Sequence, residues 1–157
     1  MSYGFGLALL GAALAVGLSG VGSAIGIGYA GQASIGAMTE DPENFGRYLI
    51  LTALPGTQGI YGFVAAFMLM VKINLLGATP VSLTTTQGWS FFVAGLPIAI
   101  AGFASAIHQG KVCTAGVGLT VKRPADSMKA MVLAVFVEFY AVLGLLISIF
   151  LINGIKV

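Results

Sequence analysis

Charge is scarce in this chain, and its scarcity excludes most soluble folds. Asp, Glu, Lys and Arg make up 8% of the 157 residues while apolar residues reach 58%; a soluble domain carries about 25% charged residues. Too few charges remain to coat a water-facing surface. The seven basic and five acidic side chains leave a net charge of +2 and form no basic cluster, which argues against a nucleic-acid partner. The single cysteine, Cys113, excludes an internal disulfide framework. Inside an apolar helix it reads as a small packing residue, because burial disfavours the thiolate. Period-2 alternation is missing too, which excludes the ~10-residue strands of a membrane barrel.

What the chain has instead is long apolar runs. Stretches free or nearly free of charge cover residues 4–37, 48–76, 88–120 and 129–154, each longer than the ~20 residues a helix needs to cross the hydrocarbon. They predict four transmembrane helices. The first stretch has no basic residue ahead of it and recurs later in the chain, so it is read as retained structure and not as a secretory signal. The charges collect in the connections. Glu40, Asp41, Glu43 and Arg47 lie between the first two spans, and Lys122, Arg123, Asp126 and Lys129 lie between the last two, whereas the segment 77–87 carries none. Lysine and arginine at the charged connections outweigh Lys72 and the C-terminal Lys156. The positive-inside rule therefore puts the charged loops in the cytoplasm of a multi-pass protein of the cell membrane, with both termini on the outer side.

An internal repeat organises the spans. A shift of 82 residues aligns GSAIGIGYAGQASIG (22–36) with ASAIHQGKVCTAGVG (104–118) and brings Pro42 onto Pro124, Leu51 onto Leu133 and Gly62 onto Gly144. Loop falls on loop and helix on helix without gaps. The chain divides into two tandem helical hairpins, 1–78 and 83–157. At this alignment Glu138 falls on Gly56, so the second hairpin carries an acid that the first lacks.

Glu138 is the only carboxylate inside any apolar span. A charge at helix centre costs about 2.5–3.5 kcal/mol on insertion scales, which makes it a functional-site candidate. Its neighbours three and four residues away, Ala134, Val135, Ala141 and Val142, are apolar, so polar company must come from other helices. Leu54, Thr57, Gln58 and Tyr61 stand at i, i+3, i+4 and i+7 in the second span and share one face. The third span adds Gln109. Thr57 and Gln58 lie 15 and 16 residues after Pro42, Glu138 lies 14 after Pro124, and Gln109 lies 15 before Pro124; at ~1.5 Å per residue the four share one level within ~3 Å. A carboxylate, a hydroxyl and two amide carbonyls form a hard-oxygen set suited to a hard cation such as Na⁺. A proton would need the carboxylate alone. Thr, Gln and Tyr also serve as hydrogen-bonding glue between membrane helices, and that structural reading stands beside the ionic one.

Pro55 removes a helix hydrogen bond and is expected to bend the second span near the cluster. Gly20, Gly22, Gly26, Gly28, Gly31 and Gly36 in the first span are expected to let backbones approach closely. GIGYAG at 26–31 fits a dinucleotide fingerprint but sits in an apolar span, and Gly110-Lys111 lacks the rest of a phosphate-binding loop. No ATP site follows from either. Lys111 and His108 flank Gln109 without sharing its face and suit the lipid interface.

The duplicated four-helix pattern with LPGTQGIYGF, HQGK and VEFYA in its second, third and fourth spans resembles the 16-kDa c/K proteolipid of V-type rotary ATPases, especially the sodium-translocating bacterial members. The likeness covers essentially the whole chain. It implies an all-α membrane protein whose copies assemble into a rotor ring. By motif, Glu138 would be the ion-binding carboxylate, with Thr57, Gln58 and Gln109 as side-chain ligands and the Leu54 carbonyl as a backbone ligand. Tyr61 would hydrogen-bond Glu138 and help close the site. The resemblance further implies Na⁺ as the transported ion, a membrane stator that bears an arginine, and a central stalk on the cytoplasmic loops 38–47 and 121–128. A proton-translocating ring and a structural or pore-forming membrane oligomer are the alternatives.

Overall fold

A computed structural model describes residues 2–157, and among them the regular elements are all helical. Four helices are long and apolar enough to cross a membrane: α1 (Tyr3–Met38), α2 (Pro42–Lys72), α3 (Thr85–Lys122) and α4 (Pro124–Gly154). With 36 and 38 residues, α1 and α3 extend about 54–57 Å. They outreach the ~30 Å hydrocarbon layer.

Local sequence sets the helix ends. The Ser2 hydroxyl caps α1 by accepting from the Phe5 amide at 3.3 Å. Thr84 and Gln87 form a reciprocal capping box at the start of α3. Pro42 and Pro124 open α2 and α4 in short 3₁₀ turns, where a residue without an N–H leaves no helix bond unmade. These prolines correct the expected loops at 38–47 and 121–128. Only residues 39–41 separate α1 from α2, and only Arg123 separates α3 from α4. Most of the charged residues are therefore held on helix ends.

The two internal prolines are absorbed differently. Pro55 sits in a 3₁₀ turn, Leu54–Gly56, that joins the α-helical segments Phe45–Ala53 and Thr57–Lys72 of α2. Pro97 lies within continuous α3, where the next amide, Ile98 N–H, donates to Ser148 Oγ of α4 at 3.2 Å. The Ser19 hydroxyl of α1 reaches the Ile98 carbonyl at 3.0 Å.

Small residues decide the packing. The α1 and α3 helices run parallel with Gly4 on Gly88, Gly11 on Gly95 and Gly26 on Gly110, so closely that a methyl added to any of Gly88, Gly95 or Gly110 would strike the facing backbone. Gly22 and Gly26 meet Phe103 and Ala106 in the same way, and Gly31 borders Thr52. Gly20 lies beside Gly59, whereas Gly28 and Gly36 depart from the sequence expectation: each faces open space. Helix α2 lies antiparallel on α1, with Gly62 against Ala15 and Ser19, and α4 lies antiparallel on α3, with Gly144 against Pro97 and Ala101. Lipid tails are as apolar as leucine, so close contact and interhelical hydrogen bonds hold such a bundle.

Two apolar clusters fill the interior. One joins Phe5, Leu69, Ile73, Phe91, Ile98 and Ile152, with Tyr61 at its edge; the other joins Tyr48, Leu51, Cys113, Val117 and Ala130, with Leu54 at its edge. Buried polar side chains lie between them.

Candidate ion-binding site

The level counted from the prolines in the sequence is where the polar residues meet. Gln58 and Gln109 are fully buried and Glu138 is 9% exposed, although they come from three helices. Glu138 accepts two hydrogen bonds: Oε1 from the Tyr61 hydroxyl at 2.6 Å and Oε2 from Gln109 Nε2 at 3.2 Å. Gln109 Nε2 also donates to the Ala134 carbonyl at 3.1 Å, while its Oε1 accepts from Gln58 Nε2 at 2.6 Å. Thr57 continues the line. Its hydroxyl lies 3.0 Å from the Leu54 carbonyl and 3.3 Å from Gln58 Oε1.

The structure thus brings Leu54, Thr57, Gln58, Tyr61, Gln109 and Glu138 into one connected network. Among the described residues no buried side-chain nitrogen or oxygen lacks a hydrogen-bond partner. The hydrogens are unevenly shared. Side chains bring one hydrogen to the Leu54 carbonyl, Thr57 Oγ1 and Gln58 Oε1, that of the Thr57 hydroxyl, and the Thr57 amide closes the 3₁₀ turn on Leu54. Each oxygen carries two lone pairs, so this corner has acceptors in excess. Pro55 contributes to it, because the turn around it carries the Leu54 carbonyl at the start of the Thr57 segment.

Sequence reasoning missed Ser105. Its hydroxyl accepts from Gln58 Nε2 at 3.2 Å and donates to the Val137 carbonyl at 2.9 Å. The signal was its position four residues before Gln109, which puts both on one face of α3. Lys111 and His108, by contrast, are not buried and point away from buried Gln109.

The first hairpin has no comparable network at the aligned position. Gly56 stands where the second hairpin has Glu138, and a Cβ there would meet Ile27 Cδ1 at 3.2 Å; Ile27 is 82 residues before Gln109. Ser23, aligned with Ser105, accepts from the Gly59 amide at 2.8 Å. Hydrocarbon fills the place of the amide and the carboxylate. No group of three or more His, Cys, Asp or Glu side chains suited to a metal ion occurs among the described residues, so any cation at Glu138 would meet amide, hydroxyl and carbonyl oxygens beside a single carboxylate.

The sequence matches the family of the ATP synthase C subunit twice, over residues 10–69 and 92–151. The K subunit of the V-type sodium ATPase of Enterococcus hirae is 44% identical over 149 residues, covering 95% of this chain and 92% of the relative. The K subunit of the A-type ATP synthase of Methanocaldococcus jannaschii is 40% identical, over 95% of this chain but 63% of its own length. The 16 kDa proteolipid of the V-type proton ATPase of Nephrops norvegicus is 30% identical over 70% of this chain and 67% of the relative.

Proposed function

Since the chain belongs to the ATP synthase C-subunit family, we propose that it is a membrane ring subunit of a V/A-type rotary ATPase that binds Na⁺ at Glu138 and conveys it past a stator. The observation that carries this reading is the corner formed by the Leu54 carbonyl, Thr57 Oγ1 and Gln58 Oε1, rich in lone pairs and tied through Gln109 to Glu138, the only carboxylate within the apolar stretches. In this assignment Glu138, Thr57, Gln58, Gln109 and the Leu54 carbonyl are the ion's ligands, and Tyr61 holds the carboxylate in place.

Charge supplies the mechanism. A carboxylate with bound Na⁺ is net neutral and enters lipid at far lower cost than a bare one. Loading therefore permits rotation into the bilayer. Unloading needs a substitute cation nearby, which an arginine on the stator would provide, and the ion exchanges there. Torque comes from ATP hydrolysis elsewhere in the complex through a stalk docked at the charged helix ends near 38–47 and 121–128, on the cytoplasmic side, with both termini outside. The 82-residue spacing of the two family matches supports reading residues 1–78 and 83–157 as copies of one hairpin, of which only the second retains the site.

Sodium is favoured over a proton by the hydrogen-bond count. Both Glu138 oxygens already accept hydrogens, from Tyr61 and Gln109. A protonated carboxyl could still accept from both, but its own hydrogen would need an acceptor as well, which a carboxylate beside a cation does not. The test is carbodiimide modification of Glu138 in the detergent-solubilised complex across a pH series, since the reagent attacks the protonated acid. Protection by millimolar Na⁺ but not K⁺ is expected. Labelling that follows pH and ignores Na⁺ would transfer the assignment to a proton-carrying ring, the reading that the proton ATPase relatives favour.

A further inference from the structure

We infer that Ser105 is a positioning residue of the site, one that fixes which end of the Gln58 amide faces the cation. The inference rests on the ion-carrying reading above. A serine hydroxyl has one hydrogen, and that of Ser105 is directed to the Val137 carbonyl at 2.9 Å. A carbonyl can only accept. Ser105 therefore offers Gln58 lone pairs, and the group 3.2 Å away must be the amide nitrogen.

Gln109 imposes the same choice independently. Its Nε2 is committed to the Ala134 carbonyl at 3.1 Å and to Glu138 Oε2 at 3.2 Å, so Oε1 is what it presents to Gln58 at 2.6 Å. Both hydrogens of Gln58 Nε2 are then engaged, and Oε1 is turned toward Thr57. Reversing the amide would set oxygen against oxygen at Gln109 and against a hydroxyl without a free hydrogen at Ser105. Two backbone carbonyls of α4, at Ala134 and Val137, thus dictate through Gln109 and Ser105 that Gln58 meets the ion with oxygen. Val137 adjoins Glu138, so the same relay ties the Gln58 amide to the carboxylate's own backbone. Ser105 touches no ion itself. It makes the acceptor corner an acceptor corner.

The test uses the intact complex in detergent and the Na⁺ concentration that half-protects Glu138 from carbodiimide. Ser105→Ala leaves a hydrogen of fully buried Gln58 without an acceptor, and the half-protecting Na⁺ concentration is expected to rise about tenfold. Ser105→Thr, which keeps the hydroxyl, is expected to stay within about twofold of the parent. A parental protection curve in Ser105→Ala, or equal shifts in both variants, overturns the assignment of Ser105 while the sodium site stands. Absence of Na⁺ protection in the parent overturns the sodium reading and this inference with it.

Discussion

The Glu138 carboxylate is held by two neutral donors on two different helices, and the two have separable roles. Tyr61 gives it the shorter bond, 2.6 Å to Oε1, from a half-buried position. Losing a hydrogen bond to a charged group costs about 1.5–3 kcal/mol, so Tyr61→Phe is expected to weaken Na⁺ retention about tenfold, measured as the rate of ²²Na⁺ release from the loaded complex. Gln109 serves both Glu138 and Gln58. Gln109→Ala should therefore raise the Na⁺ concentration needed for half-maximal ATPase activity more than Thr57→Ala does, because in the proposed assignment Thr57→Ala removes one ligand whereas Gln109→Ala removes a ligand and the bonds that join Gln58 to Glu138. Glu138→Gln is expected to abolish ion transport altogether, as read by ²²Na⁺ uptake into vesicles; an unaltered uptake rate would remove Glu138 from the site. Thr57, Gln58, Gln109 and Glu138 could be placed from the sequence by level, and Leu54 and Tyr61 by the face they share with Thr57 and Gln58, because a 3.6-residue period and two prolines fix depth along a helix. Ser105 showed only as sharing a face with Gln109, which does not name its partner, since a serine in a membrane helix bonds its own backbone as readily as a neighbour. Which atom of each amide points where depends on carbonyls of another helix.

Helices hold these side chains at one level by means of backbone contacts that admit no extra atoms. Gly95 lies on the Gly11 backbone and Gly17 faces open space, although both are helical glycines in apolar spans. Gly95→Ala is expected to destabilise the folded chain by about 1–3 kcal/mol, as overpacking does. Gly17→Ala should leave it unchanged or slightly steadier. Thermal unfolding of the two variants in the same detergent checks the contrast, and equal behaviour would deny the close α1 to α3 seam. Pro55 acts at the same scale. Pro55→Ala restores an N–H and favours a continuous helix in place of the Leu54–Gly56 turn; the Leu54 carbonyl would then be drawn into the helix ladder, and sodium protection of Glu138 should weaken. The sequence announced a disturbance at Pro55 but not its form, because a proline ring can be met by a kink, a 3₁₀ turn or a borrowed side chain. Pro97 shows the last of these through Ser148.

Across the whole molecule, the four spans were legible because charge, Lys111 and Glu138 apart, is confined to their ends, and the short connections were not. Counting charge marks 38–47 and 121–128 as loops, whereas proline geometry lets α2 and α4 begin inside them. The parallel seam between α1 and α3 was also hidden, since glycine spacing in α1 alone does not say which glycines meet a neighbour. The connection after α2 differs from the other two. Residues Gly77, Ala78, Thr79 and Pro80 are exposed and outside any helix, so cutting the chain between residues 78 and 79 and co-expressing the halves is expected to restore a complex that binds Na⁺. Failure to recover it would mean that the two hairpins do not fold as separate units. The seam has one more consequence. Along α1 and α3 the molecule is only as thick as two touching backbones, while α2 and α4 meet through whole side chains such as Tyr61 and Glu138. Such a body is a wedge, like a stone cut for an arch: identical wedges set flank to flank turn by the same angle at every joint. The sizes of the residues on the thin edge would then decide how many stones close the circle, and with it how many ions cross in one turn.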